Sequence, residues 1–412
     1  MVPNGWKLKK LNDVFKVIDS LHQTPTFSDT GLPMVRVTDV KGGILNLSNT
    51  VKVSEKVFSE YTKKYTPKKH DIVFSRVGSY GISSYVDSNE PFCLGQNTVI
   101  AESNDNAVSK YIFNVLKSTY VKRQIERTVD GSSHKTVSLK VIRALDIPIP
   151  PLPEQRKIAQ ILSTWDRGIA TTEKLIDASK QQKKALMQQL LTGKKRLVDP
   201  ETGKAFEGEW EEVKLGDVIS LGRGFAFKSS QYADSGTKVV RVTNIASSGH
   251  IDLSDCVYVP NEITNEYQKY ALKNEDILLV MVGATAGKLG FVSENILPSL
   301  LNQNMWSLRT RNLDKLNQPF LRHIAERIVA RYMLTQQGSA RGFFTQSTFE
   351  LVNFQVPSVE EQKKIASVLT AADKEIELLE AKLAHLKQEK KALMQQLLTG
   401  KRRVKVAETE AA

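Results

Sequence analysis

The twelve residues KKALMQQLLTGK occupy positions 183–194, and the same twelve return unchanged at 390–401. In a chain of this mixed composition, such identity 207 positions apart marks a repeat. The match extends outward: residues 150–197 align without a gap on 357–404. This alignment keeps Glu154/Glu361, Gln155/Gln362, Ile158/Ile365, Leu162/Leu369, Asp166/Asp373 and Ile169/Ile376 in register. A unit of about 200 residues is too long for a solenoid repeat and indicates a duplicated module.

Both copies read as long helices. Pro153 suits a first turn, where its missing N–H costs nothing, and Glu154 suits the positive end of the helix dipole. The first seam runs Ile158, Leu162, Trp165, Ile169, Thr172, Ile176, Ser179, Lys183, Leu186, Leu190, in alternating steps of four and three. The second runs Ile365, Leu369, Ala372, Ile376, Leu379, Leu383, Leu386, Lys390, Leu393, Leu397. This is the a/d pattern of a coiled coil. Gly193 stops the first helix, with Lys194, Lys195 and Arg196 at its negative end, so its length should be about 39 residues or roughly 58 Å.

Each seam is too polar midway to stand alone, and the nearest partner is the other copy. A parallel pair would require residues 194–208 to return nearly a whole helix length, and fifteen extended residues span at most about 54 Å. The expectation is therefore an antiparallel pair relating the halves by a pseudo-twofold axis, with one globular domain at each end. The alternative is each helix packed on its own globular domain.

The segments between the helices read as compact α+β domains. Strand-length apolar runs recur at 34–37, 71–74 and 98–101, punctuated by Gly-containing turns, and one helix is expected over 108–127. The second half echoes the first: WEEVKLGDVI follows WKLKKLNDVF, VVRVTNI follows MVRVTDV, and Gln303-Asn304 follows Gln96-Asn97. A second helix is expected near 320–334. The reading is thus two α+β domains, 1–149 and 209–356, two coiled-coil helical regions, 150–197 and 357–404, a linker at 198–208 and a tail at 405–412. The helices are held constant while the domains have drifted, which suggests two heads that read different things.

Net charge is +13 with a pI near 9.4, favouring a polyanionic partner. Cys93 and Cys256 stand far apart in no metal spacing, consistent with free thiols in a reducing compartment. No apolar run approaches membrane-spanning length and the N-terminus lacks a signal-peptide pattern, so a cytoplasmic protein without a membrane partner is expected.

No catalytic set emerges. Residues 283–288, GATAGK, lack one spacer residue of a phosphate loop, and Leu289 stands where Ser or Thr is required; a turn between strands is the better reading. The six His residues have no metal spacing, and no Gly-x-Ser-x-Gly elbow occurs. Polar loop residues suited to base edges and phosphates are present instead. In the first domain these are Arg36, Arg76, Ser79, Tyr80, Gln96, Asn97, Ser133, His134 and Lys135. In the second they are Arg241, Thr285, Lys288, Gln303, Asn304, Arg341 and Phe343.

Two varied domains, each followed by a P…EQ..IA..L…D..I helix ending KKALMQQLLTGK, resemble the specificity (S) subunit of Type I restriction–modification systems, the HsdS family. The resemblance covers nearly the whole chain. It implies two target recognition domains, each reading one half of a split, asymmetric sequence in double-stranded DNA. It implies helical regions that set the spacer and dock two modification (methyltransferase) subunits, joined by restriction/translocase subunits. Catalysis, with S-adenosylmethionine, ATP and Mg2+, would belong to those partners, and this chain would carry neither cofactor nor metal. Carried onto this sequence, Glu154, Gln155, Glu361 and Gln362 would serve packing and partner docking. The outward residues Gln188, Gln189, Gln395 and Gln396 are repeated although a seam does not constrain them, which suits two copies of one partner. The rival reading is a non-catalytic coiled-coil adaptor with protein-binding heads.

Overall fold

The computed structural model describes residues 2–78, 80–128, 136–335 and 344–406. The chain forms two compact units that interleave in sequence: Met1–Lys174 with Glu380–Ala412, and Leu175–Leu379. Each unit therefore contains one globular module, half of the first long helix and half of the second.

In the first unit, β1 (Lys7–Lys10), β2 (Lys16–Asp19), β3 (Leu32–Val35), β4 (Val51–Val53), β5 (Ile72–Ser75), β6 (Ser83–Tyr85), β7 (Cys93–Leu94), β8 (Thr98–Glu102) and β9 (Asp146–Ile149) build three small sheets. Their orders are β1-β9, β2-β8-β5-β6 and β4-β3-β7. Among these strands β3 and β7 pair in parallel and the other pairs are antiparallel. In the second unit, β10 (Glu211–Lys214), β11 (Ile219–Arg223), β12 (Thr237–Val240), β13 (Val257–Val259), β14 (Ile277–Val280), β15 (Leu289–Phe291), β16 (Ser299–Leu301), β17 (Met305–Thr310) and β18 (Asn353–Val356) repeat the plan. The orders are β10-β18, β11-β17-β14-β15 and β13-β12-β16, again with one parallel pair, β12 with β16. Patchy sequence echoes thus encode one topology, because burial constrains the strands while the turns between them vary.

Several expectations need correction. The apolar run at 34–37 leaves the strand at Val35, and a 3-10 turn follows at Val37–Asp39. The helix expected over 108–127 is two helices, Ser109–Leu116 and Thr119–Glu126, because the Ser118 side chain accepts the Val121 amide and starts a new helix. Its counterpart in the second module is one helix, Gln318–Thr335. Within the 198–208 linker, Asp199 and Phe206 donate backbone hydrogen bonds to Lys204 and Leu197 at 2.8 and 2.9 Å.

The long helices span Leu152–Leu190 and Val359–Leu397, 39 residues each. Every seam residue named from the sequence is buried or half-buried, and Leu162 and Leu369 are wholly inaccessible. Burial of each such leucine contributes roughly 1.5–3 kcal/mol. Both helices end in a left-handed glycine, Gly193 at φ +68° and Gly400 at φ +70°. Within the first unit the helix halves run antiparallel: Asp166 receives Lys390, and Glu173 receives Lys387 at 2.8 Å. Within the second they do so again: Lys183 meets Asp373 at 2.5 Å, and Ser179 donates to Glu375 at 3.5 Å.

Candidate nucleic-acid interface

The Glu-Gln pairs that open the long helices are buried, Glu154 and Gln155 at 3% and 1% exposure, Glu361 and Gln362 at 0%. Glu361 accepts two parallel hydrogen bonds from Arg196 at 2.7 and 2.6 Å, and Glu154 accepts two from Arg403 at 2.6 and 2.7 Å. These bonds raise the pKa of both guanidinium groups. Trp6 adds a third donor to Glu154 at 3.1 Å. Gln155 accepts the Val108 amide and donates to the Pro150 carbonyl; Gln362 accepts the Asn317 amide and donates to Pro357. All four make their hydrogen bonds inside the chain, fastening each module to its helix halves, which is the packing role expected of them. By contrast Gln188, Gln189, Gln395 and Gln396 are exposed.

The polar turn residues gather around one place in each module. Gln96-Asn97 and Gln303-Asn304 make tight turns, with Asn97 at φ +62° and Asn304 at φ +69°, a left-handed region that Asn tolerates better than most residues. Gln96, Gln303 and Asn304 are exposed. The Asn97 carbonyl accepts the Arg76 amide at 3.0 Å, and the Asn304 carbonyl accepts the Met281 amide at 2.9 Å. Val137 and Phe344 join the same place: the Val137 amide donates to the Arg76 carbonyl, and the Phe344 amide to the Met281 carbonyl. Ser79, Ser133, His134, Lys135, Arg341 and Phe343 themselves lie outside the described residues.

Arg36 and Arg241 open equivalent 3-10 turns, their amides held by Asp39 and Asn244 at 2.8 and 2.9 Å. Each follows the strand that flanks the turn: Gly95 donates to the Val35 carbonyl, and Asn302 to the Val240 carbonyl. In both, the Nε atom is buried without a hydrogen-bond partner.

Other candidates are engaged elsewhere. The Arg76 side chain forms an ion pair with Asp19 at 3.0 Å and donates to the Val137 carbonyl, so it braces the turn. Tyr80 packs on the module core. Lys288 donates to the Ile245 carbonyl, and Thr285 is exposed in the β14–β15 turn. Residues 283–288 are the inter-strand turn expected of them.

Residues beside the same turn that the sequence reading passed over are Thr24 and Phe225. Thr24 donates to the Gln96 side chain at 3.1 Å. The Phe225 carbonyl accepts the Gln303 amide, and its ring packs on Phe227, Tyr267 and Tyr270 at 4.8–5.1 Å. Gly224 permits this approach, since a Cβ there would lie 1.8 Å from the Asn302 carbonyl oxygen. The RGFAFK stretch was the available signal, aromatic and cationic where the first module has polar SLHQT.

Among the described residues no group of His, Cys, Asp and Glu could hold a metal ion, and no helix is long and apolar enough to cross a membrane. Cys93 and Cys256 are free thiols, that of Cys93 pushed up to about 12 by burial.

Two modules of one topology, each presenting a Gln-Asn turn and each anchored by a buried Glu-Gln pair, define a duplicated two-module protein. A family model described as the Type I restriction modification DNA specificity domain matches residues 3–180 and again 207–388. The chain belongs to that family, and the two matches are its target recognition domains. The MjaVIII specificity subunit of Methanocaldococcus jannaschii is 27% identical over 420 residues, spanning 98% of this chain and 94% of that one. The EcoBI specificity subunit of Escherichia coli is 25% identical over 283 residues, 65% and 57% of the two chains. The fold is that of a Type I restriction–modification S subunit from M. genitalium, with a TM-score of 0.62 at 16% identity over 97% of this chain and 98% of that one. These similarities favour the specificity-subunit reading over the adaptor. Specificity subunits recognise DNA and are non-catalytic.

Proposed function

We propose that each module reads one half of a bipartite, asymmetric site in double-stranded DNA, using the Gln-Asn turn, the adjoining arginine and the loop that ends beside them. The paired helices set the spacer between the halves and dock two modification subunits, to which restriction/translocase subunits are added. S-adenosylmethionine, ATP and Mg2+ act in those partners, in the cytoplasm. The observation that carries this reading is the polar Gln-Asn turn that recurs at the same place in both modules, on a framework of repeated strand order. Bidentate amide and guanidinium groups at such a turn suit adenine and guanine edges.

The test is genome-wide mapping of methylated adenines in cells with and without this gene. The expected result is one split sequence with a fixed spacer, lost with the gene. Unchanged methylation would contradict it. A salt titration on random duplex DNA adds a second check: affinity should fall steeply with salt, and an adaptor would not bind at all.

A further inference from the structure

The place beside the Gln-Asn turn is furnished differently in the two modules. In the second, the Gly224 amide donates to the Met305 carbonyl at 3.2 Å; in the first, the Ser20 amide donates to the Thr98 carbonyl at 3.3 Å. With Arg223 opposite Trp306 and Asp19 opposite Val99, this makes Phe225 and Leu21 equivalent. Phe225 is half-buried, and its backbone is tied to the turn on both sides. Its amide donates to the Leu301 carbonyl and its carbonyl accepts the Gln303 amide, both at 2.9 Å. Around its ring stand Phe227, Tyr267 and Tyr270, with centroids at 4.9, 4.8 and 5.1 Å. Phe227 is buried beneath, while Tyr267 and Tyr270 are half-buried. The first module answers with hydrogen bonds: Thr24 donates to the Gln96 side chain, and Tyr61 donates to the Gln23 carbonyl at 2.9 Å.

Positive charge borders the rings. Lys228 and Lys269 are exposed, the Lys269 ammonium lying 4.9 Å from the Tyr270 ring centre. Arg223 is exposed as well and donates to the Gln346 side chain at 2.9 Å. An apolar surface rimmed by cations matches an apolar group on a base edge flanked by phosphates. Phe225 is packed against three other rings, so it is no free wedge of the kind that slips between stacked bases. What it can offer is the accessible edge of a fixed ring. In the major groove the apolar group that such an edge suits is the C5-methyl of thymine.

We infer that Phe225 is a specificity-determining residue of the second module, reading the 5-methyl group of a thymine beside the base that Gln303 reads. This rests on the DNA reading by the Gln-Asn turn proposed above, and adds to it the base and the chemical group recognised. The first module, with Leu21 at the equivalent position and no such ring cluster around it, reads its half without this contact.

The experiment first obtains both half-sequences by selection from a random library with the assembled complex. Each thymine of the second half is then replaced singly by deoxyuridine, which removes the methyl group and nothing else, and affinity is measured by competition. At one thymine the replacement should weaken binding by the parent about fourfold, the order expected when one methyl group is no longer withdrawn from water. Phe225→Ala should bind the thymine duplex about fourfold less tightly and should no longer distinguish uracil at that position. Phe225→Leu supplies the residue type that the first module carries at the equivalent position, and so covers the case of an alanine variant that does not fold. It should lose most of the same discrimination. A second half without thymine, uracil tolerated at every position by the parent, or undiminished discrimination in Phe225→Leu overturns the assignment to Phe225 alone. Absence of any base preference in the second half overturns the reading by the Gln-Asn turn itself.

Discussion

Arg196 grips Glu361 through two hydrogen bonds of 2.7 and 2.6 Å, and the residues one repeat away, Arg403 and Glu154, form the same pair with the helices exchanged. Lys183–Asp373 and Lys390–Asp166 exchange in the same way. A carboxylate buried at an N-terminus of one helix is thus neutralised by an arginine just beyond the C-terminus of the other. That relation only an antiparallel pairing provides, and it fixes the register of each unit.

Removing either buried carboxylate's partner should be costly. Arg196→Ala leaves Glu361, at 0% exposure, charged and unpaired, and should destabilise the second unit by about 3–5 kcal/mol in denaturant unfolding. Glu361→Gln should cost less than this, since it removes the charge together with the ion pair. A loss below about 1 kcal/mol for Arg196→Ala would place this pair among ordinary surface ion pairs.

Stability should also depend on pH through His323. Burial lowers its pKa from 6.5 to about 4, against the opposing pull of Asp373 at 4.0 Å; Lys183 and Arg322 add to the lowering, and Thr370 bonds Nε2 at 3.1 Å. The folded state holds the ring neutral while the unfolded chain takes up a proton. Its contribution is therefore complete above about pH 6.5 and is lost as pH falls toward 4, by about 3 kcal/mol in all. In His323→Gln the fall over this window should be correspondingly shallower. An identical pH profile in the variant would show that His323 takes up its proton equally in both states.

Recognition should be separable by module. Gln303→Ala should relax base preference within the half-site read by the second module, at about 1–3 kcal/mol for a base contact, and leave the other half untouched. Gln96→Ala should do the converse. Selection of bound sequences from a random library, with the assembled complex, measures both. A uniform loss on every sequence would assign these residues to phosphate contact.

The helical seams were legible because a 3.5-residue period survives any partner, and all twenty named positions are removed from solvent to some degree. The Gln-Asn turns were legible because they recur 207 positions apart. What could not be read was the use of charge. Glu154 looks like a first-turn acid on an exposed helix end until Arg403 arrives from 249 residues away. Arg76 looks like a free loop cation until Asp19 is folded beside it. The break at Ser118 did carry a local signal, a capping serine inside a helical run, which the apolar spacing at Tyr120 and Ile125 obscured.

The central proposal, that the helical regions set the spacer between the two half-sites, is tested most directly by length. One heptad is added to both long helices at corresponding positions, and the methylated sites of the assembled complex are mapped. The account predicts a longer spacer between two unchanged half-sequences. Altered half-sequences with the original spacer would contradict it.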